Sequence, residues 1–206
     1  MEAARQTLRP LGLVQRGRSR TWLSDQAWWV IAVEFQPSGW SRGSYLNVGC
    51  MWLWDVKPHI SFDEGSRIEP FAGFESEEQF RPIAANMVQK AVERVNHYRS
   101  QFPTIHAVSD YYIQHVPTGL WPMFNAGIAH GLSGRADVGN RLLRRCADGT
   151  AEDAEWAREV RSDAKQIAML IEDKGRFRRL VSQRVRETRE LQKLPSRPEV
   201  DFVESH

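Results

Sequence analysis

The sequence predicts an α+β protein in which an antiparallel sheet of four or five strands is covered by one helix and followed by a helical C-terminal half. Six of the eight tryptophans precede residue 55, in segments rich in aromatic and β-branched residues that favour strands. From Ser76 onward the apolar residues follow a helical period. We therefore expect an α+β domain over 1–147, a helical extension over 150–194 and a frayed tail over 195–206.

The sheet is expected between residues 20 and 71, in both long and short extended segments. These segments are Thr21–Leu23, Ala27–Gln36, Ser44–Trp54, Pro58–Phe62 and Arg67–Phe71. The two long segments form a hairpin around the loop 37–43. The last two are expected to form a shorter hairpin, because Asp63 and Gly65 between them are turn residues.

Strand alternation predicts how the two long strands pair. One dry face forms if the apolar residues Trp29, Ile31, Val33 and Phe35 of the first strand lie beside Leu46, Val48, Cys50, Trp52 and Trp54 of the second. The opposite side then becomes a polar and aromatic surface, with Gly49 leaving room in its middle. The predicted pocket there is lined by Trp28, Glu34, Gln36, Ser38, Tyr45 and Asn47.

Helices are predicted at the N-terminus and throughout the C-terminal half. A capping box formed by Ser76 and Gln79 begins the helix that should cover the dry face. The other predicted helices are Met1–Leu11, Thr104–His115, Met123–Leu132, Asp137–Cys146, Ala151–Asp173 and about Gly175–Leu194.

Several classes of protein are disfavoured by what the sequence lacks. Cys50 and Cys146 are far apart in sequence, which argues against a disulfide framework or a zinc ribbon. No apolar run approaches the roughly 18 residues of a membrane helix, and no export signal is recognisable, so a cytoplasmic location without membrane contact is expected. No phosphate-binding, dinucleotide, serine-hydrolase or metalloprotease motif occurs. We predict no catalytic residue, no metal site and no cofactor.

Charge is segregated along the chain although the net charge is only +2. Residues 1–20 carry five basic residues and one acidic residue, and residues 174–193 carry eight and two. In the last helix, a basic stripe is expected from Arg178, Arg179, Arg186, Arg189 and Lys193. Arg184 falls on the apolar side and should pair with Asp163, Glu172 or Asp173. The stripe is either a solvated face, a contact to an acidic protein or a phosphate contact.

The hairpin loop holds a candidate binding anchor. Trp40 lies beside Arg42 with glycines on both sides, where an exposed aromatic ring would serve partner binding, although packing back on the sheet is the alternative.

Residues of this hairpin also carry a resemblance. The stretch Phe35-Gln36-Pro37-Ser38, together with Asn47-Val48-Gly49 and the basic turn Arg16-Gly17-Arg18, resembles an uncharacterised bacterial domain-of-unknown-function family of small α+β proteins. The resemblance covers roughly residues 8–146. It implies the sheet hairpin and a bacterial source, and it carries no activity.

These observations lead to three functional hypotheses of different classes. The first is a non-enzymatic cytoplasmic interaction module, such as an accessory or immunity-type protein, that binds an unidentified protein partner through Trp40, Arg42 and the basic helix. The second is a nucleic-acid-binding accessory protein that uses the same helix. The third is an enzyme whose pocket lies on the polar face of the sheet and uses Glu34.

Overall fold

The computed structural model describes residues 2–149, 154–197, 200 and 202. The chain forms two compact units, one of residues 1–52 and 59–100 and the other of residues 53–58 and 101–206. The α+β class is confirmed, because a five-stranded antiparallel sheet is followed by helices that lie mostly in the C-terminal half. Helices on both sides of residue 147 pack against each other within the second unit.

The first unit contains a sheet in which each strand is antiparallel to the next one in sequence. The strands are β1 (Val14–Gln15), β2 (Thr21–Asp25), β3 (Trp29–Pro37), β4 (Gly43–Trp52) and β5 (Glu64–Gly73). β5 forms one edge of the sheet. Register shifts around Leu46 interrupt its pairing with β4, and Pro70 lies within it.

The predicted short hairpin over residues 58–71 is wrong, because only its second half is a strand. The carboxylate of Asp63 accepts a hydrogen bond from the backbone N–H of Trp52 (2.7 Å), and its own N–H donates to the carbonyl of Cys50 (2.8 Å). These two bonds hold the connection against the end of β4. Only the residues after Asp63 pair with β4.

The predicted register of the long strands is confirmed. Ile31 lies opposite Cys50, Val33 opposite Val48, and Phe35 opposite Leu46. Opposite residues of an antiparallel pair point to the same side of a sheet, so these apolar side chains form one face. All six are buried.

Two helices belong to the first unit, α1 (Glu2–Leu8) and α2 (Glu77–Gln101). The predicted cap is present, because the N–H of Gln79 donates to Oγ of Ser76 (3.1 Å). Near the other end of α2, Nη2 of Arg99 donates to Oγ of Ser24 (2.7 Å). Ser24 pairs with Ile31 and therefore belongs to the apolar face. As predicted, α2 covers that face.

Three tryptophans pack together at the end of this face. The rings of Trp28 and Trp52 stack with centroids 5.9 Å apart, and Trp29 lies 5.7 Å from Trp52. Trp28 was expected on the polar side. It does not follow the strand alternation, because Ala27 has a φ of 68° and turns the chain just before β3 begins.

The second unit contains helices α3 (Ile105–Gln114), α4 (Leu120–Leu132), α5 (Ala136–Ala147), α6 (Glu155–Ala168) and α7 (Lys174–Leu191). The predicted helices agree with these to within a few residues, except that the expected start of α6 at Ala151 lies outside the described residues. Glycines allow α4 and α5 to approach closely. A Cβ added to Gly139 would lie 2.6 Å from the carbonyl oxygen of Gly127.

The segment 53–58 is tied into the second unit by hydrogen bonds. Nε1 of Trp54 donates to Oδ1 of Asn125 (2.9 Å), and Nε2 of Gln192 donates to the carbonyl of Lys57 (2.9 Å). The described residues of the predicted frayed tail differ in exposure. Residues 195–197 are exposed, whereas Phe202 is buried and only 2% exposed. Residues 198, 199, 201 and 203–206 lie outside the described residues.

We expect the substitution Gly49→Ala to destabilise the first unit. A Cβ at this position would lie 2.3 Å from Cδ1 of Phe62 and 2.7 Å from the carbonyl oxygen of Glu64, so the backbone has to shift. Such overpacking should lower the free energy of unfolding by about 1–3 kcal/mol in urea titrations followed by tryptophan fluorescence. Gly39→Ala is the matched control, because no atom lies within 4 Å of its Cβ position. Equal midpoints for the two variants would contradict the observed packing.

Candidate functional site

The loop between β3 and β4 holds one tryptophan in solvent. Oγ of Ser38 accepts hydrogen bonds from the backbone N–H groups of Trp40 (3.2 Å) and Ser41 (3.3 Å). The N–H of Phe74 donates to the carbonyl of Arg42 (2.9 Å), which fixes the other end of the loop. The loop therefore has a defined shape. Trp40 is 99% exposed, whereas the other five tryptophans of the sheet half are fully buried.

A groove of about 690 Å³ lies beside this loop, and we call it the Trp40 groove. Its apolar walls come from Phe35, Phe74, Phe80, Ala84, Met87 and Val88. The volume falls within the range of sites that bind ligands. Ser38 and Trp40 form the rim on the loop side, so Ser38 belongs to this groove and not to the polar face where it was expected.

The sequence builds the groove from the end of a strand and the start of a helix. Phe35 is the last apolar-face residue of β3, and α2 faces it with Phe80, Ala84 and Met87. Helical residues spaced by three or four positions share a face. The short side chain of Ala84 lies between the two larger ones and leaves the space open.

The polar side chains predicted on the other face of the sheet do come together. Nδ2 of Asn47 donates to the carboxylate of Glu34 and to Oε1 of Gln36, both at 2.9 Å. Nε of Arg67 donates to Oδ1 of Asn47 (3.3 Å), and its guanidinium lies 3.9 Å from the ring centroid of Tyr45. Asn47 is buried and uses both its donors and its acceptor, so it is the centre of this network.

The predicted space above Gly49 is filled. The ring of Phe62 occupies the position that a Cβ of Gly49 would take. Val30, Ala32 and Met51 on the same face are fully buried. The polar network of Glu34, Gln36, Asn47, Arg67 and Tyr45 is therefore a surface cluster whose groups bind each other, and it does not line the Trp40 groove.

The predicted basic stripe of α7 is only partly a surface. Arg179, Arg186 and Lys193 are exposed, and Arg178 is half-buried. Arg189 is 2% exposed, and its Nη2 donates to the carbonyl of Pro195 (2.6 Å). It is covered because Lys193 adopts a φ of 56° and turns the chain back over the helix end.

The prediction for Arg184 is confirmed. Its Nη2 donates to the carboxylate of Asp163 on α6 (2.5 Å), and its Nε donates to the carbonyl of Trp54 (2.8 Å). Arg184 and Arg189 are therefore two of the eight basic residues of the segment 174–193 whose guanidinium groups bind other parts of the protein. Glu187 and Glu190 are exposed on the same helix, which weakens the electrostatic case for phosphate binding.

A buried polar network in the second unit was not predicted. Oγ of Ser109 lies 2.7 Å from Nδ1 of His130 and accepts a hydrogen bond from Arg135 (2.6 Å), which also pairs with Asp110 (2.6 Å). Burial and, to a smaller degree, the charge of Arg135 lower the pKa of His130. The signal in the sequence was a histidine within the apolar stretch 126–132, where a polar side chain needs a partner. Ser109 is fully buried and out of reach of a substrate.

Metal ligands and thiols are two further kinds of reactive group. Among the described residues, no three His, Cys, Asp or Glu side chains are grouped as metal ligands would be. Burial raises the pKa of Cys146 to about 11 and places the pKa of Cys50 well above its ordinary value. None of the described helices combines the length with the hydropathy that a bilayer-spanning helix requires.

Comparisons with known proteins identified no relative of this chain. No protein-family model matches the chain, and neither curated proteins nor solved structures gave a match. The resemblance to the α+β family of unknown function stays a prediction.

Replacing the centre of the polar network should destabilise the first unit. Asn47→Ala leaves Glu34, Gln36 and Arg67 without their shared partner, so we expect the free energy of unfolding to fall by about 1–3 kcal/mol. Asn86→Ala, at an exposed position of α2, is the control and should change it by less than about 0.5 kcal/mol. Urea titrations of both variants make the comparison, and a neutral Asn47→Ala would disprove the role of the network.

The buried imidazole predicts a dependence of stability on pH. The pKa of folded His130 lies below the ordinary value of 6.5, so at acidic pH the unfolded chain takes up a proton that the folded chain excludes. The resulting stabilisation is complete above pH 6.5 and is lost as the pH falls. The stability advantage of the wild type over His130→Asn should shrink on acidification, by up to about 1.4 kcal/mol per pH unit. Denaturation curves between about pH 7 and 5 test this, and a constant difference would contradict it.

Proposed function

We propose that this protein is a non-enzymatic binding module that holds a segment of a protein partner in the Trp40 groove. The observation that carries the proposal is the full exposure of Trp40 at the rim of an apolar groove of about 690 Å³. A large aromatic ring in water is costly, and aromatic anchors dominate the energetics of protein interfaces.

The fixed geometry of the loop supports this role. Ser38 and Arg42 hold both ends of the loop through hydrogen bonds, so the position of Trp40 is largely set before a partner arrives. A binding loop that is already ordered loses less conformational entropy on association. The proposal therefore combines an exposed anchor with a prepared surface.

The polar face of the sheet favours binding over catalysis. Glu34, the carboxylate of the polar network, receives a hydrogen bond from Asn47, and the neighbouring Gln36 is bound by both Asn47 and Arg67. A general acid or base needs a free approach to a substrate, whereas these groups are directed at each other. We assign this network to the stability of the sheet.

Site-specific crosslinking in cells of the source organism tests the proposal. With the photoreactive residue p-benzoylphenylalanine in place of Trp40, irradiation is expected to yield a discrete crosslinked protein of defined mass. Ala84→Trp should abolish this product, because Ala84 lines the groove and a larger side chain fills it.

The neighbouring position provides the control. Ala85 lies on the exposed side of α2 and does not line the groove, so Ala85→Trp should leave the crosslink intact. Thermal unfolding of both variants checks that each is folded. A crosslink that survives Ala84→Trp would refute the proposal, and so would the absence of any crosslink from the protein that carries only the photoreactive residue at position 40.

A further inference from the structure

Two arginines of the Trp40 groove have no partner among the residues that the structure describes. Among the described residues that line the groove, Arg20 and Arg42 are the only charged ones. Both are exposed, and neither guanidinium forms a hydrogen bond or an ion pair with any described residue. Arg67, Arg99 and Arg184, in contrast, each contact acceptors of the protein itself. The groove therefore presents two positive charges and no negative one.

The backbones of these two arginines are anchored at the groove. The carbonyl of Arg20 accepts a hydrogen bond from the N–H of Phe35 (3.1 Å), and the carbonyl of Arg42 accepts one from the N–H of Phe74 (2.9 Å). Phe35 and Phe74 both belong to the apolar wall. The backbones of Arg20 and Arg42 are therefore fixed next to the apolar wall of the groove, and their guanidinium groups are available to bind a ligand.

The exposure of Trp40 indicates that the occupant is a polymer. A small molecule bound in a pocket buries most of its own surface within the cavity. Trp40 lies at the rim of the groove and is 99% exposed, so covering its ring requires a ligand that extends beyond the groove. A peptide segment can place side chains in the groove and continue over the ring at the rim.

We infer that the partner segment is an acidic peptide whose aliphatic or aromatic side chains enter the groove while its carboxylates pair with Arg20 and Arg42; this inference rests on the proposed function. Guanidinium groups bind carboxylates through paired hydrogen bonds. Complementary charge at the rim also selects among apolar segments, since a basic segment would be repelled.

Selection from a random-peptide phage library on the full chain tests the inference. The wild type is expected to enrich peptides that carry at least two Asp or Glu residues around large apolar residues. A fluorescein-labelled synthetic copy of the most enriched peptide then serves as the probe in anisotropy titrations. The double variant Arg20→Glu/Arg42→Glu should bind it at least roughly tenfold more weakly.

A matched double variant separates the groove from the general effect of net charge. Arg179→Glu/Arg186→Glu makes the same change in charge at exposed positions of α7 and should retain the wild-type affinity. Ala84→Trp should abolish binding of the probe. Equal weakening by both double variants would overturn the inference.

The composition of the selected peptides distinguishes this inference from the proposed function. Neutral or basic peptides whose binding is abolished by Ala84→Trp would overturn the acidic assignment and leave the binding module intact. If Ala84→Trp abolishes the binding of no selected peptide, both the inference and the proposed function are wrong. Decanoate serves as a probe of lipid binding. If it is the only ligand whose binding Ala84→Trp abolishes, both are wrong as well.

Discussion

The pairing of β3 with β4 in one register is the constraint on which the first unit depends. Val33 opposite Val48 places the apolar residues Ile31, Phe35, Leu46 and Cys50 on the same side as these two valines, where α2 buries them. A shift by one residue between the strands would instead turn either Glu34 or Asn47 toward α2. The same register brings Glu34, Asn47 and Gln36 within hydrogen-bonding distance on the other side, so the dry face and the polar network have one cause.

The position of the groove also follows from this arrangement. β3 extends to Pro37, and its apolar face ends at Phe35. α2 begins at Glu77 and crosses this end of the sheet with Phe80 and Ala84. The space between them remains open beside Ala84, because the side chain at that position is small. The loop that carries Trp40 closes one side of this space.

Much of the fold could be predicted because it depends on local patterns. Alternation gave the register of Ile31 with Cys50, and helical spacing identified the capped start of α2 and the pairing of Arg184 with Asp163. Exposure of Trp40 was an open alternative that only the structure could decide.

The sequence-based predictions were wrong where the local structure depends on a contact with a distant segment or on a single unusual dihedral angle. The carboxylate of Asp63 binds the backbone N–H of Trp52, and this bond holds the segment before β5 against the end of β4. The residues predicted as the strand Pro58–Phe62 are therefore irregular. Arg189 projected onto the basic side of α7, yet the chain after Lys193 folds over it. The groove was missed for the same reason, because Phe35 and Ala84 are distant in sequence and adjoin only in the folded unit.

The irregular strand β5 at one edge of the sheet disfavours pairing with a strand of another molecule. An outermost strand presents unpaired peptide groups that can recruit a strand from another molecule and start a fibril. In β5, Pro70 lacks an N–H to offer, and the register shifts around Leu46 bend the ladder away from the flat form that such recruitment requires. A straight outer strand would offer another molecule a regular row of peptide groups for pairing, and Pro70 and the register shifts make β5 a poorer template for such pairing.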